Sequence, residues 1–183
     1  DVLLIGGDLP RVGAPAEARQ VIDELRDVAV PIVTVLGNHD YNADQAAEIT
    51  AALRDAGIAV LEGDGVCLDI GPARLGVAGV KGFGVGFPGA SASDFGEPEM
   101  RAFVRHTKES AARLEAALCA LDCDRRVALL HYAPVADTLR GEPPGIYPFL
   151  GSAFLAEAID RAGADLTLHG HAHRGCEHGL TAG

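Results

Sequence analysis

Short apolar runs alternate along this chain with segments whose apolar residues recur every third or fourth position. Residues 2–5, 32–36, 58–61, 127–130 and 166–169 read as strands, and the β-branched content of 32–36 favours strand over helix there. Between them, Val21, Ile22, Leu25, Val28 and Ala29 mark one face of a helix over 16–29. Ala46, Ile49, Leu53 and Ala56 do the same over 43–56. Pro98 opens a long helical pattern carrying Met100, Phe103, Val104, Ala111, Leu114, Leu118 and Leu121, and proline suits a first helical turn because its missing N–H would be unpaired there. Phe154, Leu155, Ala158, Ile159 and Ala162 mark a further helix.

Strands alternating with helices imply βαβ units and a mainly parallel sheet. The middle breaks that rhythm. Residues 66–70 and 74–80, separated only by Gly71-Pro72-Ala73, predict an antiparallel hairpin. A glycine-rich loop is expected over 81–96 and a surface loop over 137–151. No repeat or linker is visible, so residues 1–183 are expected to form one domain.

The formal charge of −11 argues against a long nucleic-acid partner, which needs a basic stripe. It leaves a small phosphate ester open as substrate, because a bound divalent cation would dominate the local field. No stretch is apolar enough over about 18 residues to predict a membrane span. Cys67, Cys119, Cys123 and Cys176 form no Cys-x-x-Cys pair and are expected to be buried thiols in a reducing compartment, which points to the cytoplasm.

Candidate chemistry sits where the strands end. Asp8 follows Gly6-Gly7; Gly37-Asn38-His39-Asp40 follows the second strand; His131 follows the fourth; His169-Gly170-His171-Ala172-His173 closes the fifth. In open α/β sheets the carboxyl ends of the strands form the ligand crevice, so turns far apart in sequence can meet. A metal site needs that convergence, because no single segment here supplies enough ligands. Gly7, Gly37 and Gly170 stand just before these side chains, where the chain must turn sharply. His169 is expected to support the structure or the ligands from behind, and His106, His178, Arg140 and Tyr147 are expected to be surface residues. Gly84-Val85-Gly86-Phe87-Pro88-Gly89 fits a dinucleotide fingerprint only formally, since Pro88 interrupts it and no helix opens from it.

Taken in order, Gly7-Asp8, Gly37-Asn38-His39-Asp40, His131 and Gly170-His171-Ala172-His173 resemble the motifs of the calcineurin-like metallophosphoesterases. The resemblance implies two packed mixed β-sheets flanked by helices, an α/β/β/α sandwich. It implies a centre of two divalent ions, manganese, iron or zinc by the oxygen and nitrogen ligands. Asp8 would bridge both ions, Asn38, His131 and His171 would hold one, and His173 would help hold the other. Such a centre generates hydroxide at neutral pH for in-line attack at phosphorus. His39 would stabilise charge on the phosphoryl group or protonate the leaving oxygen, with Asp40 orienting its ring.

The family's opening Asp-x-His motif is absent from the sequence, and Arg11 stands at the end of its Gly-Asp-x-x-Asp motif. Asp1 falls inside a strand and Gly183 arrives just after the last motif, so the first expectation is a chain cut at both ends. The alternative is a non-catalytic scaffold of the same fold with a degenerate metal site.

Overall fold

The computed structural model describes residues 1–182. Three parallel strands, β1 (Leu3–Ile5), β2 (Ile32–Val35) and β3 (Ala59–Leu61), form one sheet in the order β1-β2-β3. β4 (Asp64–Ile70), β5 (Ala73–Val80), β8 (Arg125–Leu130) and β9 (Leu166–Leu168) form the second, in that order. β4 and β5 are the expected antiparallel hairpin, and β5, β8 and β9 run parallel. The first sheet is joined by α1 (Pro15–Leu25) and α2 (Ala46–Asp55). The second carries α3 (Pro98–Ala120) and α5 (Ala153–Ala162). A short helix, α4 (Tyr147–Leu150), precedes α5.

Period-two alternation sorts the strand residues into layers. Val33, Val35 and Leu61 of one sheet meet Val77, Val127 and Leu129 of the other in a shared core. The opposite faces hold Ala78, Val80, Ala128 and Leu130 against α3 and α5, and Val60 and Leu36 against Ala18, Ile49 and Leu53 of α1 and α2. The expected α/β/β/α sandwich is therefore the observed one.

Several expectations are corrected. α1 stops at Leu25, short of the predicted 29, and Val28 is left exposed. Pro31 forces the residue before it out of helical geometry, and its carbonyl already accepts the Leu3 N–H of β1. The 81–96 loop contains a two-stranded ribbon, β6 (Gly86–Phe87) with β7 (Ala90–Ser91). The 137–151 segment is not a surface loop, because Leu139 and Leu150 pack with Phe87 and Ala133 in a core of their own. Tyr147 joins it, its hydroxyl donating to the Leu139 carbonyl at 2.9 Å.

The cysteine expectation also fails. Cys67 and Cys123 are disulfide-bonded, and Cys119 and Cys176 are exposed free thiols. The cause is local: Cys67 pairs in register with Gly76, whose missing side chain leaves the space that Cys123 occupies. The argument for a reducing, cytoplasmic setting thereby loses its basis. Among the described residues no helix is long and apolar enough to cross a membrane.

The two sheets approach closely at Gly79. A Cβ there would lie 2.7 Å from Val35 Cγ1 and 3.0 Å from the Leu129 carbonyl oxygen. Gly79→Ala should therefore destabilise the fold by about 1–3 kcal/mol in urea unfolding, through overpacking. Adding Val35→Ala should restore part of the loss; simple additivity of the two changes would disprove the contact.

Candidate metal centre

The turn after β1 and the turn after β2 are locked together by one buried carboxylate. Asp40 is fully buried, and its Oδ2 accepts the backbone N–H of Gly37 at 2.6 Å and of Asp8 at 3.0 Å. In return, Asp8 Oδ1 accepts the His39 N–H at 2.9 Å. Gly37 must be glycine for this interlock, since a Cβ would fall on the Asp8 carboxylate. Asp8 itself is held at φ +57°, a left-handed conformation that costs a non-glycine residue free energy unless its surroundings impose it.

Two loops from the second sheet reach the same point. His131, at the end of β8, is 1% exposed and places Nδ1 2.6 Å from the Gly6 carbonyl. The N–H therefore resides on Nδ1, and the Nε2 lone pair faces inward. His171, also left-handed at φ +67°, sets Nε2 3.3 Å from the Phe149 carbonyl, which leaves Nδ1 as its inward lone pair. His131 Nε2 lies 2.9 Å from Asn38 Oδ1, 3.1 Å from His171 Nδ1 and 3.4 Å from Asp8 Oδ2.

Amide oxygen, carboxylate oxygen and two imidazole nitrogens thus converge with lone pairs facing one another and the imidazole protons turned outward. Such acceptors repel unless a cation sits among them. The donor set fits a divalent ion: Asp8, His131 and His171 each offer an atom within 4.8 Å of the others.

The other expected residues are placed differently. His39 sets Nδ1 2.7 Å from the Arg11 carbonyl, so its Nε2 faces the centre, 4.0 Å from Asp8 Oδ2. Asp40 does not orient this ring; that expectation is corrected, because Asp40 Oδ2 accepts two backbone N–H groups, its buried Oδ1 meets no donor, and the Arg11 carbonyl aligns the imidazole instead. His173 is exposed and is not among the three residues, Asp8, His131 and His171, whose ligand atoms lie within 4.8 Å of one another. His169 turns away, with Nε2 2.8 Å from the Thr138 hydroxyl. A cavity of about 530 Å³ borders His169 and His171 on that far side; Asp8 and Asn38 do not line it.

With this geometry in view, comparison with known proteins decides the family. The model of the calcineurin-like phosphoesterases matches residues 1–175. The chain belongs to that family. Among solved structures, it is similar to phosphopantetheinyl hydrolase (PptH) from Mycobacterium tuberculosis, with 17% identity and a TM-score of 0.73 over 94% of this chain and 73% of that one. It is similar also to TT1561 of Thermus thermophilus, with 18% identity and a TM-score of 0.51 over 92% of this chain and 68% of that one. At such identities the likeness is one of fold. No curated protein matches the chain.

Calcineurin-like phosphoesterases are metal-dependent, and the electrostatics of this centre suit a cation. Burial lowers the pKa of His131 from 6.5 to about 4, and burial likewise lowers that of His171, so both rings are neutral lone-pair donors near pH 7. Sequence reasoning missed the carbonyls of Gly6, Arg11 and Phe149, which no side-chain pattern reveals. It also missed Lys81, which is buried beside the centre. Lys81 directly follows the apolar run of β5, the same strand-end signal that marked Asp8 and His131.

Asp40 and His131 respond to acid with opposite signs. Asp40 is raised by burial from 3.8 to about 6, so the folded chain takes up this proton before the unfolded chain does, and stability is gained as pH falls through that window. His131 is depressed, so the unfolded chain is protonated first and stability is lost as pH falls from 6.5 to about 4. Asp40→Asn removes only the first effect. Without metal, it should lose about 3 kcal/mol more than wild type between about pH 7 and 4 in urea unfolding. Parallel profiles for the two proteins would show that Asp40 is not a buried acid of raised pKa.

Proposed function

We propose that this chain carries the catalytic centre of a metal-dependent phosphoesterase acting on small phosphate esters, monoesters or diesters. The observation that supports it is the meeting of Asp8, Asn38, His131 and His171 with lone pairs inward, beside a histidine whose free nitrogen faces the same point. In this reading those four residues hold one divalent ion, and Asp8 with His173 contributes to a second; manganese, iron and zinc suit the donors. Bound divalent cations supply Lewis acidity, lowering the pKa of water and neutralising phosphoryl charge.

The chain's own groups do the rest. Gly6 and Phe149 accept the outward imidazole protons and so fix the tautomers that bind cations. The Arg11 carbonyl holds His39 with Nε2 inward, where an N–H on the protonated ring donates to the leaving oxygen. Asp8 Oδ2 lies 4.0 Å from that nitrogen. Tyr132 packs against His171 at a tilt, with ring centroids 4.4 Å apart.

The fold-level likeness to a phosphopantetheinyl hydrolase makes phosphopantetheinyl esters one substrate to assay. The decisive assay uses p-nitrophenyl phosphate and bis-p-nitrophenyl phosphate with manganese or zinc. Hydrolysis is expected with metal and not after chelation. His39→Ala should lower kcat by about 10²–10⁴-fold, as loss of a general acid does, with metal content unchanged. Silence across both esters and both metals in a protein that folds and loads metal would overturn the proposal in favour of a non-catalytic scaffold.

A further inference from the structure

Only two lysines occur in the chain, and they occupy opposite environments. Lys108 is a surface residue paired with Asp94 at 3.2 Å. Lys81 is 8% exposed. Its position follows from strand pairing. β5 and β8 run parallel with Val80 opposite Leu130, and the Lys81 carbonyl accepts the N–H groups of His131 and Tyr132 at 3.1 and 3.0 Å. Val80 and Leu130 face the helices, so by alternation Lys81 and His131 turn together toward the other sheet and the turn that carries Asp8.

The ammonium ends among three rings. Lys81 Nζ lies 5.1 Å from the ring centroid of Tyr41, 4.9 Å from that of Phe83 and 5.2 Å from that of Tyr132. Tyr41 is 41% exposed and follows directly on His39 and Asp40, so one wall of this cage is also the rim of the metal centre.

What the ammonium lacks is a direct ion pair, although Glu62 and Asp8 attract it from further away. Among the described residues, the ammonium makes one hydrogen bond, to the Gly82 carbonyl at 3.3 Å, and no ion pair. Glu62 is close, but its carboxylate accepts from Arg113 at 3.0 Å and from the Lys81 backbone N–H at 3.1 Å. A lysine buried only to hold the fold ordinarily satisfies its three donors or meets a carboxylate. Cation–π contact offsets part of the desolvation and leaves donors to spare.

We propose that Lys81 binds an anionic oxygen of the substrate's phosphoryl group beside the metal ligands, and that it biases the centre toward dianionic phosphomonoesters over monoanionic diesters. This rests on the phosphoesterase reading above. The rings of Tyr41, Phe83 and Tyr132 keep the ammonium poised and largely dehydrated, which strengthens its pull on an anion and adds no cost of reorganisation when one arrives.

The test loads the protein with zinc, labels its lysine ε-carbons with ¹³C and titrates with inorganic phosphate. The Lys81 signal should shift saturably while that of Lys108 stays still. Lys81→Met should weaken phosphate binding about 10–100-fold, the range for a lost hydrogen bond to a charged group, and Lys81→Arg should recover part of it. The same Lys81→Met change should lower kcat/KM for p-nitrophenyl phosphate at least about tenfold more than for bis-p-nitrophenyl phosphate, a split that mere loosening of the fold would not produce. A stationary Lys81 signal while ³¹P spectra show phosphate bound, or equal phosphate affinity in wild type and Lys81→Met, overturns this proposal alone. A zinc-loaded wild type that neither binds phosphate nor cleaves either ester overturns the phosphoesterase reading, and this proposal with it.

Discussion

A single buried carboxylate holds the centre together. Asp40, without solvent access, ties the N–H groups of Gly37 and Asp8 and so stitches the turn after β2 to the turn after β1. Those turns belong to neighbouring strands of one sheet, and the stitch, together with the His39 N–H on Asp8 Oδ1, holds Asp8 at a positive φ. Burial makes the bond strong and the charge costly, which is why its acidity is weakened rather than strengthened despite two donors.

The second sheet answers with histidines held from behind. Gly6 links the two halves directly, because its carbonyl on the β1 side takes the proton of His131 on the β8 side. The rings that face Asp8 and Asn38 are therefore neutral and aligned before any ion arrives. Strain and repulsion are concentrated at this corner: two left-handed non-glycine residues, and four acceptors crowded within reach of one another. That concentration is costly in an empty protein and useful in one that binds cations.

Much of this was readable from residues alone. The alternating runs revealed the strands, the hairpin and the helices, since burial of one face imposes its period on any sequence, while the division into two sheets came from the family resemblance. Asn38, His131 and His171 announced themselves by following strands. Other features were invisible because they depend on partners distant in sequence. Nothing in the spacing of Cys67 and Cys123 suggests a bond; the hairpin register and the absent side chain of Gly76 create it. The segment before α5 looked like a loop because its prolines and glycines mask the buried Leu139 and Leu150. Asp40 seemed the natural partner of its neighbour His39, whereas tertiary geometry gave that ring to a backbone carbonyl from the preceding turn.

The sequence by itself determined the strands and helices, the identity of the strand-end side chains and, through its ordered motifs, the family and the layered fold that the family implies, because periodicity marks the elements and the motif residues recur in a fixed order. Only the tertiary structure decided which lone pairs face inward, which carbonyls fix the imidazole tautomers, and that Lys81 sits buried in an aromatic cage. The physical reason is that orientation and protonation are set by contacts across the sandwich, and a one-dimensional pattern carries which face a residue takes but not what meets it there.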